Sequence, residues 1–160
     1  MFADDNHKPK KFLSAKDAKV KAGDYCAYQE RSQQEVRNKL YQYGLHQNEV
    51  EQIISELITE GFINEERFAK AYVGGKFRMK KWGRIKITQG LKQHRISDYC
   101  IKKGLLEIDE DDYLSTIHNL IEKKREHISS GSTLLINKKL ASYMLQKGYE
   151  SDLIWECLRK

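Results

Sequence analysis

Apolar residues recur at intervals of three and four along most of this 160-residue chain. One stripe consists of Val50, Ile53, Ile54, Leu57 and Ile58, whose spacing places them on one face of an α-helix. No stretch of strand length alternates Val, Ile or Thr with polar residues, the pattern expected of a half-buried β-strand. The hydrophobic pattern therefore predicts an all-α fold.

Residues typical of helix ends divide this pattern into short segments. Ser32 and Glu35 form an S-x-x-E capping box ahead of an apolar run, and Asn64 is placed to cap another helix. Four glycines stand where helices are expected to end in the left-handed conformation that glycine readily adopts: Gly44, Gly61, Gly104 and Gly148. The predicted elements are short helices joined by tight turns.

A weak internal repeat organises these helices. Six positions of the segment 36–54 recur 51 residues later in 87–105 and 104 residues later in 140–158. Each copy follows a further amphipathic stretch, so the predicted unit has three helices and occurs three times. Stacked repeats contact mainly their neighbours, which predicts an elongated, curved body.

The domain boundaries follow from this repeat. Residues 1–14 include Lys8, Lys10 and Lys11 and are predicted to be a flexible basic tail. The remaining chain is assigned to helical repeats 1, 2 and 3, at residues 15–63, 64–108 and 109–160.

Positive charge is concentrated in the middle of the chain. The chain has 29 Lys and Arg against 23 Asp and Glu, but residues 67–97 alone hold ten basic residues and no acidic one. Phe68 and Tyr72, which lie among these cations, are expected to face the core. The segment 74–84 is predicted to be a helix end at its two glycines followed by an exposed loop. Such a loop suits nucleic-acid phosphates or an acidic protein groove.

Signatures of catalysis and metal binding are missing from the sequence. It contains no H-E-x-x-H, G-x-S-x-G or P-loop motif. Cys26, Cys100 and Cys157 are far apart and odd in number, so they are expected to be small buried hydrophobes instead of disulfide or zinc ligands. The acidic run 107–112 is interpreted as a helix start matched to the helix dipole. We predict neither an enzyme nor a cofactor.

Membrane and export signals are also missing. No run approaches the roughly 18 apolar residues of a membrane span, and the N-terminus lacks the apolar core of a secretory signal. The expectation is a cytoplasmic monomer with no membrane partner.

The middle of the chain resembles the RecX family. The resemblance rests on Arg67-Phe68-Ala69-x2-Tyr72-Val73, a basic loop, and Gly83-x-Ile85 leading into Leu91. The flanking repeats are similar to the outer repeats of that family, so the resemblance covers roughly residues 20–160. Three departures stand out: Arg84 follows Gly83 where proline is frequent, Gly90 lies inside a helix at a cost of ~1 kcal/mol relative to Ala, and Arg95 replaces a helix-ending glycine.

The resemblance implies a tandem-repeat regulator, mainly an inhibitor, of the RecA recombinase in recombination and DNA repair. It would bind the groove of the RecA–DNA filament and lower its ATPase and strand-exchange activity. The contact role is assigned to basic residues of the middle repeat and one aromatic residue: Lys76, Arg78, Lys80, Lys81, Trp82, Arg84 and Lys86. Secondary basic contacts are assigned to Lys70, Lys92 and Arg95.

Two other functions stay open from the sequence. The same cations suit a direct single- or double-stranded DNA-binding module, in which the filament is incidental. They also suit a structural adaptor that recognises an unrelated acidic protein.

Overall fold

The computed structural model describes residues 12–160, so Lys8, Lys10 and Lys11 of the predicted tail lie outside the described residues. This part of the chain contains nine α-helices and no β-strand, which confirms the predicted all-α fold of three-helix repeats. The helices are α1 (Ala15–Tyr28), α2 (Gln33–Gln42), α3 (Gln47–Thr59), α4 (Glu65–Gly75), α5 (Arg84–Gln93), α6 (Asp98–Leu105), α7 (Glu110–Arg125), α8 (Thr133–Gln146) and α9 (Ser151–Leu158).

The predicted helix caps are present in the structure. The backbone N–H of Glu35 donates to the Ser32 hydroxyl at 3.1 Å, and the Glu35 carboxylate accepts from the Ser32 N–H at 3.2 Å. Asn64 accepts from the N–H of Arg67 at 2.8 Å. The acidic run starts α7, with Asp109 as its N-cap residue. These side chains satisfy N–H groups that a helix leaves without backbone partners.

The chain forms two compact units that divide between Phe68 and Ala69, within α4. In the first unit, α1, α2 and α3 surround a core of apolar side chains. Its members are Ala18, Ala22, Cys26, Val36, Leu40, Leu45, Val50, Ile53, Ile54, Leu57 and Ile63. In the second unit, the helices from the end of α4 to α9 bury a second set that includes Val73, Phe77, Ile87, Leu91, Ile101, Tyr113, Ile117, Ile121, Leu140, Met144, Tyr149 and Ile154.

Matching repeat positions have matching burial. The first two apolar positions of the three copies are fully buried (Val36 and Leu40, Ile87 and Leu91, Leu140 and Met144). The turn position takes the left-handed conformation in all three copies, with φ of 87° at Gly44, 59° at Arg95 and 95° at Gly148. Arg95 therefore keeps the geometry of the turn without a glycine, at a cost of about 1 kcal/mol in backbone strain.

Two glycines inside helices are in close contact with α4. The prediction that Gly104 ends a helix is wrong, because Gly104 lies inside α6 and a Cβ there would approach the Ala69 backbone to 3.0 Å. Gly104 thus allows α6 to lie directly against α4. A Cβ at Gly90 would lie 2.0 Å from the Tyr72 hydroxyl, so the space beside α5 is already occupied.

Candidate functional site

The segment 76–83, here called the basic turn, continues directly from α4. The prediction that the helix ends at Gly74 and Gly75 is wrong, since Gly75 has helical angles (φ −65°, ψ −48°) and a π-helical turn follows over Lys76–Lys80. The π-helical turn ends at Lys81, whose φ of 58° is left-handed. Only Lys81, Trp82 and Gly83 lie between the π-helical turn and α5. A π-helical turn holds an extra residue per turn and is frequent at functional sites.

Phe77 attaches the basic turn to the core. Its side chain is buried, and its ring centroid lies 5.9 Å from that of Tyr113. Phe68 is buried and Tyr72 half-buried, in line with the core positions expected of both. With Phe77 directed inward, the neighbouring residues Arg78, Met79 and Lys80 face solvent.

The third repeat holds the backbone of the basic turn. The N–H of Gly83 donates to the carbonyl of Lys147 at 2.8 Å, and the N–H of Ile85 donates to that of Gly148 at 2.9 Å. The Tyr149 hydroxyl donates to the carbonyl of Lys81 at 2.8 Å. A Cβ at Gly83 would lie only 2.3 Å from the Gly148 oxygen, so the two backbones are in direct contact. The backbone of the basic turn at Lys81 and Gly83 is therefore held against the third repeat by hydrogen bonds.

Three cations of the basic turn are exposed without a compensating carboxylate. Arg78, Lys80 and Lys81 are all exposed. Within residues 12–160, none of the three forms an ion pair with Asp or Glu. The Arg78 guanidinium lies over Gly74, where a Cβ would come within 2.7 Å of its Nη2 atom. Their positive charge is available to an external anion.

Trp82 organises two further ammonium groups. The Nζ atoms of Lys76 and Lys86 lie 4.9 and 4.6 Å from its ring centroid, within the range of a cation–π interaction. Trp82 and both lysines are half-buried. The ring thus keeps two positive charges close together beside the exposed three.

Arg84 has a different environment from the other predicted contact residues. Its guanidinium donates to Glu150 at 2.9 Å and to Glu110, and it lies 3.9 Å from the Tyr113 ring centroid. Its backbone N–H donates to the Tyr113 hydroxyl, which in turn donates to Glu150. Burial, together with the hydrogen bond to Glu150, raises the pKa of Tyr113. Arg84 therefore connects the second and third repeats, and its charge is compensated within the protein.

The three residues assigned secondary contacts lie on other parts of the second repeat. Lys92 and Arg95 are exposed at the C-terminal end of α5, and Lys70 is exposed on α4. Because α5 has ten residues, its two ends are about 15 Å apart. Lys92 and Arg95 therefore lie at the far end of α5 from the basic turn. The predicted contact residues that the structure brings together are Lys76, Arg78, Lys80, Lys81, Trp82 and Lys86.

Sequence reasoning missed the residues that support the basic turn. Tyr149 lies at one of the six recurring positions of the repeat, which indicates no contact with the basic turn. The equivalent positions are Leu45 and Ile96, neither of which has a hydroxyl. The hydroxyl group of Tyr149 is therefore the feature of the sequence that could have indicated a hydrogen bond specific to the third repeat.

Cysteine environments give no sign of a metal or redox centre. Cys26 and Cys100 are buried as predicted, whereas Cys157 is half-buried, with its Sγ 3.9 Å from Nδ1 of His118. Burial raises the pKa of Cys26 to about 11 and also raises that of Cys157. Among residues 12–160, no group of three or more His, Cys, Asp and Glu side chains could hold a metal ion. Over the same residues, no helix combines the length and apolarity that a membrane crossing needs.

The fold and the site together define a class of protein. It is an all-α protein of tandem three-helix repeats whose second repeat presents exposed positive charge on a turn that hydrogen bonds hold to the third repeat. Three stretches of the chain match the three-helix domains of RecX: the first domain at 18–57, the second at 64–105 and the third at 110–158. The chain therefore belongs to the RecX family, as the resemblance indicated.

Relatives with the name regulatory protein RecX support this assignment. The chain is 29% identical over 143 residues to that of Bacillus mycoides, covering 89% of this chain and 53% of the relative. It is 29% identical over 147 residues to that of Clostridium acetobutylicum, covering 89% and 68%. The chain thus spans about half the length of the Bacillus relatives. The prediction of a regulatory role agrees with the name of these relatives.

Solved RecX structures share the fold. The crystal structure of RecX from Lactobacillus salivarius aligns with a TM-score of 0.82 at 25% identity, covering 91% of this chain and 94% of that one. A second crystal structure of a regulatory protein RecX aligns with a TM-score of 0.83 at 20% identity, covering 91% and 73%.

Proposed function

We propose that this protein regulates the RecA recombinase, mainly as an inhibitor, by binding the groove of the RecA–DNA filament through the basic turn. Membership of the RecX family supports a regulatory role. The observation that carries the proposal is the set of three exposed cations, Arg78, Lys80 and Lys81, which pair with no carboxylate among residues 12–160. The proposed effect is a lower ATPase and strand-exchange activity of the filament, with the regulator acting as a cytoplasmic monomer.

The fixed backbone of the basic turn strengthens this proposal. Ordering a flexible loop on binding costs free energy, so a turn that is already held by Lys147, Gly148 and Tyr149 loses less on docking. The predicted contacts divide accordingly. Lys76, Trp82 and Lys86 extend the contact surface beside the turn, whereas Arg84 is assigned to internal support and left out of it.

The ATPase of RecA on single-stranded DNA tests the proposal. We expect wild-type protein to inhibit it at well below one regulator per RecA protomer, and a Lys80→Glu/Lys81→Glu variant to lose this inhibition. The matched control is Lys16→Glu/Lys21→Glu, which makes the same charge change at two exposed lysines of α1. Thermal unfolding of both variants checks that the fold is retained. Inhibition that is equal in the wild type and the basic-turn variant would contradict the proposed site.

Direct DNA binding is a second candidate function, favoured by the cation–π cluster at Trp82. In that case log affinity for bare single-stranded DNA falls with log salt at a slope near −0.7 per phosphate contact. A flat salt dependence with micromolar or weaker binding would exclude it. The adaptor alternative is tested by pull-down, since recovery of an acidic protein without the recombinase would favour that function.

A further inference from the structure

The third repeat has a second cluster of cations around an aromatic ring. A groove of about 260 Å³ is lined by Leu120, Lys123, Lys124, His127 and Tyr143 and is here called the Tyr143 groove. Its residues come from α7, the segment that follows α7, and α8. None of the lining residues is acidic, and Tyr143 is half-buried.

Two ammonium groups approach the ring of Tyr143. The Nζ of Lys124 lies 4.8 Å from the ring centroid, and that of Lys147 lies 5.7 Å away. This arrangement parallels Trp82 between Lys76 and Lys86. The two clusters are connected, because Lys147 Nζ also lies 3.5 Å from the carbonyl oxygen of Lys80, to which it donates a hydrogen bond. Lys147 therefore links the basic turn to the ring of Tyr143.

Among the residues that the structure describes, no carboxylate pairs with the basic side chains of the Tyr143 groove. Over the described chain, Lys123, Lys124 and His127 form no ion pair, whereas the neighbouring Arg125 pairs with Glu122 at 3.5 Å. Basic residues near a helix C-terminus are favoured by the helix dipole, which accounts for part of this charge at the end of α7. The dipole of α8 favours Lys147, its C-cap residue, in the same way, whereas no helix dipole accounts for the aromatic ring.

We infer that the Tyr143 groove is a second binding site for single-stranded DNA, in which the lysines contact phosphates and Tyr143 stacks on a base. An aromatic ring flanked by cations suits a nucleotide, which offers a base and a phosphate, whereas an acidic peptide gains little from the ring. This inference rests on the second candidate function, direct binding of single-stranded DNA. It extends the contact surface from the second repeat to the third.

Binding of a fluorescent oligothymidylate of about 20 nucleotides, measured without RecA over a range of salt, tests the inference. We expect Lys123→Gln/Lys124→Gln to weaken binding and to reduce the salt slope by about 1.4, since two phosphate contacts on a single strand contribute about 0.7 each. The matched control is Lys138→Gln/Lys139→Gln, an exposed pair on α8 that does not line the groove. This control has the same net charge and is expected to keep the wild-type slope.

Substitutions of the ring separate stacking from charge. We expect Tyr143→Phe to bind as the wild type does, whereas Tyr143→Leu binds at least about fivefold more weakly because loss of a stacking ring removes 1–3 kcal/mol per base. Three results would each overturn the inference. The first is an equal loss of affinity in the two double-lysine variants, and the second is an unchanged salt slope in all variants. The third is competition by oligoglutamate that is as effective as competition by unlabelled oligothymidylate. None of these results bears on the RecA ATPase of the basic-turn variant, so failure of the inference and failure of the proposed function are distinguishable.

Discussion

Two basic side chains of the first three-helix unit form ion pairs with carboxylates, whereas the exposed cations of the basic turn form none within the described chain. In the first unit, Lys19 pairs with Glu56 and Glu60 at 3.1 and 2.8 Å, and Arg37 pairs with Glu51 at 2.6 Å. In the basic turn, Lys80 and Lys81 have no carboxylate partner among the described residues. The net charge of +6 does not show this difference. The charge available to a partner depends on which cations the fold neutralises.

The same contrast between paired and exposed cations occurs within the second repeat, where Arg84 is paired. It follows the basic turn directly, yet Glu110 and Glu150 compensate its charge. Sequence position therefore does not separate cations that bind a partner from cations that support the fold. The predictions below test that separation, from the largest expected effect to the smallest.

Gly83→Ala is expected to have the largest effect, because it would separate the basic turn from the third repeat. The new Cβ would lie 2.3 Å from the Gly148 oxygen, and backbone atoms cannot move away as freely as a side chain. We expect a loss of about 3 kcal/mol in the free energy of unfolding, measured by urea denaturation. The control is Gly75→Ala, which has no heavy atom within 4 Å of its Cβ and helical angles, so it should stabilise by up to about 1 kcal/mol. Equal stability of both variants would contradict the close contact.

Arg84→Gln is expected to have the second-largest effect. It removes the guanidinium from Glu150, a partly buried carboxylate, and we expect a loss of about 1.5 kcal/mol in the free energy of unfolding. Lys80→Gln removes an exposed, uncompensated charge and should change stability by less than about 0.5 kcal/mol. If the two variants were destabilised equally in urea denaturation, the distinction between supporting and available cations would fail.

Arg95→Gly should stabilise the protein although it deletes a cation. Glycine adopts the φ of 59° without the strain that Arg95 carries, and no ion pair is lost within the described chain. We expect a gain of about 0.5–1 kcal/mol in the free energy of unfolding. Lys92→Gly, inside α5, should instead cost about 0.5–1 kcal/mol. A rise in melting temperature for the first variant and a fall for the second is the diagnostic result.

The smallest expected effect is a pH dependence confined to the first unit. A hydrogen bond from Arg37 lowers the pKa of Glu51 from its ordinary value of 4.5. Since the folded-state pKa lies below the unfolded one, the stabilisation is present above pH 4.5 and is lost as the pH falls through the folded-state value. Glu51→Gln should therefore destabilise by about 0.5 kcal/mol at pH 7 and converge with the wild type in acid, because the pair is largely exposed. Lys80→Gln should show no such convergence between these pH values.

Most of the fold was predictable because local rules agree with it. The capping box of Ser32 and Glu35, the αL glycines Gly44 and Gly148, and the buried stripe of α3 follow from short-range spacing. The helix end predicted at Gly74–Gly75 was wrong because packing overrides propensity there. Phe77 is buried against Tyr113, which supports another turn of helix beyond two poor helix formers.

By itself, the sequence determined the helices, the threefold repeat, the family and the concentration of positive charge at residues 67–97. Each of these depends on neighbours along the chain or on side-chain type. Only the tertiary structure decided that Arg84 pairs with Glu110 and Glu150, that Tyr149 holds Lys81, and that Lys147 joins two cationic clusters. Those contacts join residues separated by 26 to 68 positions, and whether a charge is neutralised depends on distances of a few ångströms that such separations do not reveal.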